Sequence, residues 1–312
     1  MTSFAQNLNQ MLWGRILQGL GSGGCFTLGT AILFDSFQKE RAVQALTNLN
    51  MVIPLIMAGA PMLGGYLNYT FGFRSNFLVI AFFVFISLLV CLFLFDETLP
   101  KDKRAPFQTR AIFKDFKKAF SSLPFWQLTI ATSLPFAGYI AFLSTASVLF
   151  VVEFGVSKVA FPLIQAILLG GWVAGGLTLK KSTTRWGVFQ IKKAGIILSL
   201  IGGGVLALTT ILTPRDPYLL TSGMIFYAFG ANWIVGLYFP EGMEVLPKIK
   251  GTTASLLTSA RLLIGAAAVE VTSSLYNGSI YPLSILVIGT IMGTFPILFL
   301  YEKKKKSQPE VL

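Results

Sequence analysis

The chain has 312 residues, 54% apolar and 12% charged, with 28 Phe, 30 Gly, no His and a formal net charge of +12. Soluble domains carry about a quarter charged residues, so this composition excludes the ordinary water-soluble classes and points to an all-α, polytopic helical membrane protein. The lack of His removes imidazole bases, His metal sites and Ser-His or Cys-His pairs. Cys25 and Cys91 sit in separate apolar runs and give no disulfide framework.

A hydrocarbon core needs about 20 apolar residues per helix. Runs of that kind fall at 12–34, 43–67, 75–95, 124–150, 161–179, 194–212, 218–239, 252–276 and 282–301. We read them as about nine transmembrane helices. The 161–179 run is marginal and must stand straight or gain a turn at its ends. One long hydrophilic connection, 96–123, separates three helices (1–95) from six (124–312). Within it Phe113, Lys114, Asp115, Phe116, Lys117 and Lys118 have the pattern of an amphipathic helix on the cytoplasmic membrane surface.

Lys and Arg set the orientation. Alternate connections hold twenty of them, against Arg74, Lys158 and Arg215 on the other side, while Arg15 and Arg261 fall within spans. The positive-inside rule then places the N-terminus outside and the C-terminus in the cytoplasm. The net charge faces anionic lipid headgroups, and a nucleic-acid role has no support.

Four motifs follow in order. Arg15-Ile16-Leu17-Gln18-Gly19-Leu20-Gly21 resembles the R-x-x-Q-G-x-G signature in the fourth helix of major facilitator superfamily transporters. Gly59-Ala60-Pro61-Met62-Leu63-Gly64-Gly65 resembles the antiporter motif of their fifth helix, with Ala60 added before the proline. Gly72-Phe73-Arg74-Ser75-Asn76-Phe77 is similar to the entry to the sixth helix, and Glu97-Thr98-Leu99-Pro100 to its end. The wording is closest to the Bcr/CflA type of drug:proton antiporter. The resemblance implies the superfamily fold, with these nine helices as its helices 4–12 and the first three lacking. It implies a multi-pass protein of the bacterial inner membrane that exports small amphipathic drug-like molecules against protons by alternating access, with no cofactor besides the proton gradient and no enzyme activity. Two alternatives stay open, an inactive remnant or membrane interaction partner, and a metabolite uniporter or symporter of the same superfamily. An ungapped offset of 209, which sets Gly21 on Gly230 and Asp35 on Glu244, agrees with parallel halves.

Candidate site residues follow from chemistry and from the resemblance. Arg15 lies in an apolar span, where an ionised side chain requires a partner or water; the resemblance ties it to proton coupling, and a plain contact with Gln18 is the competing reading. Glu270 lies in an Ala- and Val-rich stretch, where desolvation favours a proton carrier; a carboxylate bonded to a neighbouring Ser or Thr is the alternative. Gly59, Pro61, Gly64 and Gly65 serve packing and gating, with Gly170, Gly171, Gly175 and Gly176 as a matching small-residue surface. Gln18, Tyr139, Phe142, Gln165, Asn232 and Trp233 are candidates for a substrate cavity, or else packing residues. Asp35, Arg41 and Glu244 are candidates for a cytoplasmic gate, or else belong to solvated loops.

Overall fold

Long apolar runs with few charges form helices here because every backbone polar group is then satisfied within its own segment. In the computed structural model the described residues are 2–37, 41, 56, 59–60, 63–94, 109–157 and 160–307. All regular elements among them are helical. The chain divides into two units, Met1–Phe107 and Gln108–Leu312, the boundary falling inside the long connection.

The first unit holds α1 (Leu8–Ser36), a helical stretch at 63–71 and α2 (Arg74–Leu94). The expected second span, 43–67, lies mostly outside the described residues. Gly72, with φ of +81°, turns the chain into α2. Ser75 Oγ donates to the Gly72 carbonyl at 2.6 Å, and Asn76 Nδ2 donates to the Gly64 carbonyl at 3.3 Å. The third motif is thus a helix-entry device: a left-handed glycine, a hydroxyl that satisfies its carbonyl and an amide that ties back to the preceding helix.

The second unit holds α3 (Thr109–Phe120), α4 (Leu123–Val148, continued by a π turn Leu149–Glu153), α5 (Phe161–Trp186), α6 (Val188–Leu212), α7 (Pro217–Glu244), α8 (Lys250–Ser274) and α9 (Tyr281–Ser307). Seven helices among the described residues, α2 and α4–α9, are long and apolar enough to cross a membrane. The marginal run is rescued by length: α5 continues through Lys180, Lys181 and Arg185 to 26 residues, about 39 Å at 1.5 Å per residue. The amphipathic segment is α3, which turns Ala119 inward beside Phe125 and Leu257 and leaves Phe113 exposed.

α7 is the hub of the second unit, packing on α4, α5, α6 and α8. Its seat on α6 depends on glycine. A Cβ at Gly202 would lie 2.4 Å from the Tyr227 nitrogen, and one at Gly230 would lie 2.5 Å from the Gly195 carbonyl oxygen. On the other side Gly175 admits α7 so closely that a Cβ would lie 2.9 Å from the Phe229 carbonyl oxygen. Trp233 Nε1 donates to the Gly175 carbonyl at 2.9 Å. Lipid tails give helices no hydrophobic reason to associate, so such backbone approach and interhelical hydrogen bonding hold the unit together.

Candidate functional site

Arg15 sits on α1 with its side chain exposed. Its Nη1 donates to Gln18 Oε1 at 3.1 Å and its guanidinium carbon lies 4.7 Å from the Phe77 ring centroid. Arg15, Gln18 and the helix-entry motif are therefore brought together, and among the described residues no carboxylate pairs with Arg15. Arg74 of the same motif donates to the Ala5 carbonyl at 3.4 Å.

Pro61 lies outside the described residues. Among the described residues nothing lies within 4 Å of where a Gly59 Cβ would be, and Gly64 faces Asn76, whose Oδ1 would be 3.6 Å from such a Cβ; Gly65 is exposed. The proposed counter-surface needs correction. Gly171 and Gly175 are filled by α7, at Ile225 and Phe229, Gly176 faces Asn232, and only Gly170 is open.

Glu270 is exposed on α8 and accepts from Ser274 Oγ at 3.0 Å. It does not meet Arg261, nine positions away on the same helix, as 100° per residue requires.

The cavity candidates separate into two groups. Phe142 is fully enclosed in the core, edge-on to Phe150, and Trp233 is 6% exposed with its indole nitrogen committed to α5. Tyr139, enclosed as well at 2% exposure, stacks on Trp172 at 4.7 Å, and its hydroxyl is buried with no hydrogen-bond partner among the described residues. Gln165 and Asn232 are half-buried. Of the gate residues, the Asp35 side chain lies outside the described residues, Arg41 is exposed, and Glu244 forms an exposed pair with Lys250 at 3.0 Å, six residues along the chain.

Two charged features lie outside the candidate site residues. At the basic end of the unit, Lys192 Nζ donates to Glu241 Oε2 at 2.6 Å and to Glu302 Oε1 at 2.7 Å, and lies 4.0 Å from the Tyr238 ring centroid. Tyr301 and Lys305 both donate to Glu241 Oε1. Two ammonium groups and two carboxylates therefore close a neutral cluster that joins α6, α7 and α9. The signal was present in the helix lengths: α6 starts six residues before its apolar run, and α7 and α9 overrun theirs, which brings these charges onto helix ends. The second feature is Arg261 on α8. Its guanidinium carbon lies 4.8 Å from the Phe136 ring centroid and 4.6 Å from that of Phe239, and its Nε is buried without a hydrogen-bond partner among the described residues.

A sequence profile decides the family. The profile described as "Major Facilitator Superfamily" matches residues 1–269. The chain belongs to that superfamily. It is a multi-pass membrane transporter, of a family that is not an enzyme class. Among relatives of this superfamily member, the "Bicyclomycin resistance protein homolog" of Haemophilus influenzae is 22% identical over 297 residues, covering 94% of this chain and 74% of the relative. "Multidrug resistance protein MdtM" of Escherichia coli O157:H7 is 22% identical, covering 98% of this chain and 75% of its own. "Multidrug resistance protein MdtL" of Escherichia coli O139:H28 is 29% identical over 168 residues, covering 54% of this chain and 42% of its own. The solved structure of a bacterial homolog to the human lysosomal transporter Spinster, inward-facing and unoccupied, has a TM-score of 0.61 at 17% identity, covering 96% of this chain and 77% of the other. That likeness bears on the fold alone.

Proposed function

We propose that this superfamily member exports amphipathic, drug-like molecules in exchange for protons by alternating access. It acts in the bacterial inner membrane with its N-terminus outside and its C-terminus in the cytoplasm. The observation that carries the reading is a set of charges on long helices without opposite partners among the described residues, Arg15 on α1 and Arg261 and Glu270 on α8. A lone cation in a span costs about 2.5–3.5 kcal/mol or more unless water or a counter-charge reaches it. Such a residue suits a site where a proton or a charged substrate arrives and departs. The names of the relatives support drug efflux as the class. In this reading Arg15 and Glu270 bias proton occupancy, and Gly59, Pro61, Gly64 and Gly65 permit helix approach during gating. Gln18 of the first unit, and Gln165 and Asn232 of the second, supply polar contacts to substrate, while Asp35, Arg41 and Glu244 act at the inner ends of their helices.

The test is uptake of ethidium into acid-loaded proteoliposomes containing the chain. Accumulation that needs the pH gradient and stops with a protonophore supports the proposal. Uptake at the same rate with the gradient collapsed, or no uptake above empty liposomes, overturns it.

A further inference from the structure

The basic end of the second unit holds an open cleft of about 520 Å³ between α6 and α9. Ile196, Phe295 and Phe299 form its apolar depth, and Lys193 and Lys303 stand nearer the helix ends. From Phe295 to Lys303 is eight residues, about 12 Å of rise, so one amphiphile can span both zones. Phe295 and Phe299 are 47% and 58% exposed, a surface that neither α6 nor α9 covers. Charge decides the occupant. Lys192, which also lines the cleft, is neutralised by Glu241 and Glu302, and Glu302 is thereby neutralised in turn. Lys193 rests over the Phe189 ring at 4.5 Å, and among the described residues neither it nor Lys303 has a carboxylate partner. The cleft is therefore net positive where a lipid headgroup would sit and aromatic where its chain would lie. Basic pockets between transmembrane helices bind anionic headgroups.

We infer that this α6–α9 cleft is a binding site for one anionic phospholipid, its phosphate held by Lys193 and Lys303 and its acyl chain lying on Ile196, Phe295 and Phe299. The site is separate from the transport reading and stands or falls without it.

The experiment is native mass spectrometry of the detergent-purified full chain, titrated with phosphatidylglycerol and with phosphatidylcholine of the same acyl chains. The inference predicts one retained phosphatidylglycerol, bound about tenfold more tightly than phosphatidylcholine. Lys193→Gln with Lys303→Gln should abolish that preference, and Lys193→Arg with Lys303→Arg should keep it. Lys114→Gln with Lys118→Gln, on α3, should leave it unchanged. Millimolar inorganic phosphate should not displace the lipid, since the acyl chain contributes. Equal retention of the two lipids, a preference that survives the Gln pair, or displacement by inorganic phosphate alone would overturn the inference. If the Gln pair fails to stay monodisperse, Phe299→Ser decides instead: retention of phosphatidylglycerol should fall, and unchanged retention contradicts the site.

Discussion

Lys192 and Glu241, 49 residues apart, meet at 2.6 Å with the lysine only 7% exposed. The pair ties the start of α6 to the end of α7, and Glu302 and Lys305 extend it to α9. Removing one partner of a buried ion pair leaves an uncompensated charge. Lys192→Met should therefore lower stability by about 2–4 kcal/mol, read as a lower melting temperature in detergent. Adding Glu302→Gln should recover most of the loss, because Glu241 and Lys305 then remain as a balanced pair. A single Lys192→Met as stable as the parent would contradict the arrangement.

The α6–α7 contact predicts a sharp contrast between glycines of one helix. Gly202→Ala drives a methyl to 2.4 Å from backbone and should destabilise by about 1–3 kcal/mol. Gly204→Ala has nothing within 4 Å and should be neutral or stabilising by up to about 1 kcal/mol through helix propensity. Thermal unfolding of the two variants side by side checks both.

Tyr227 links three helices through one hydroxyl. It donates to the Pro135 carbonyl at 2.9 Å and lies 2.9 Å from Thr290 Oγ1, in space that Gly138 leaves open. Tyr227→Phe should cost about 1–2 kcal/mol, and Gly138→Ala should cost more by expelling the ring. Equal melting temperatures for parent and Tyr227→Phe would mean that the hydroxyl contributes nothing.

Much of this was legible in the sequence for physical reasons. Apolar length alone located α4–α9, and the alternation of Phe and Lys at 113–118 foretold α3. Arg15 and Gln18, three positions apart, were readable as neighbours from helical spacing. Lys192 was not legible as a buried residue, because a hydropathy reading ends the span where charges begin and cannot see that the helix continues. Phe142 and Trp233 illustrate a second limit: an aromatic on a helix gives no sign of whether it faces a cavity or a neighbouring helix, and both prove enclosed. Gly171 and Gly175 were recognisable as a contact surface, but their partner, α7, depends on tertiary arrangement.

The proposed function predicts that stability and transport respond differently to substitution of Arg261. Its Nε is buried and unpartnered among the described residues, so the guanidinium costs desolvation without full hydrogen bonding. Arg261→Met should hold or raise the melting temperature while lowering gradient-driven ethidium uptake at least about tenfold, a rise of roughly 1.4 kcal/mol in the barrier. Arg261→Lys, which keeps the charge but not the planar stacking on Phe136 and Phe239, should fall between. Full uptake by Arg261→Met would reduce the residue to packing.

The most direct test of proton-coupled export is the proton itself. Proteoliposomes loaded with a luminal pH dye and held at an acid interior should show luminal alkalinisation when ethidium is added outside, in step with its uptake. Arg15→Gln should abolish both signals together, and Glu270→Gln should alter their dependence on pH. Ethidium entry with no change in luminal pH would contradict the account.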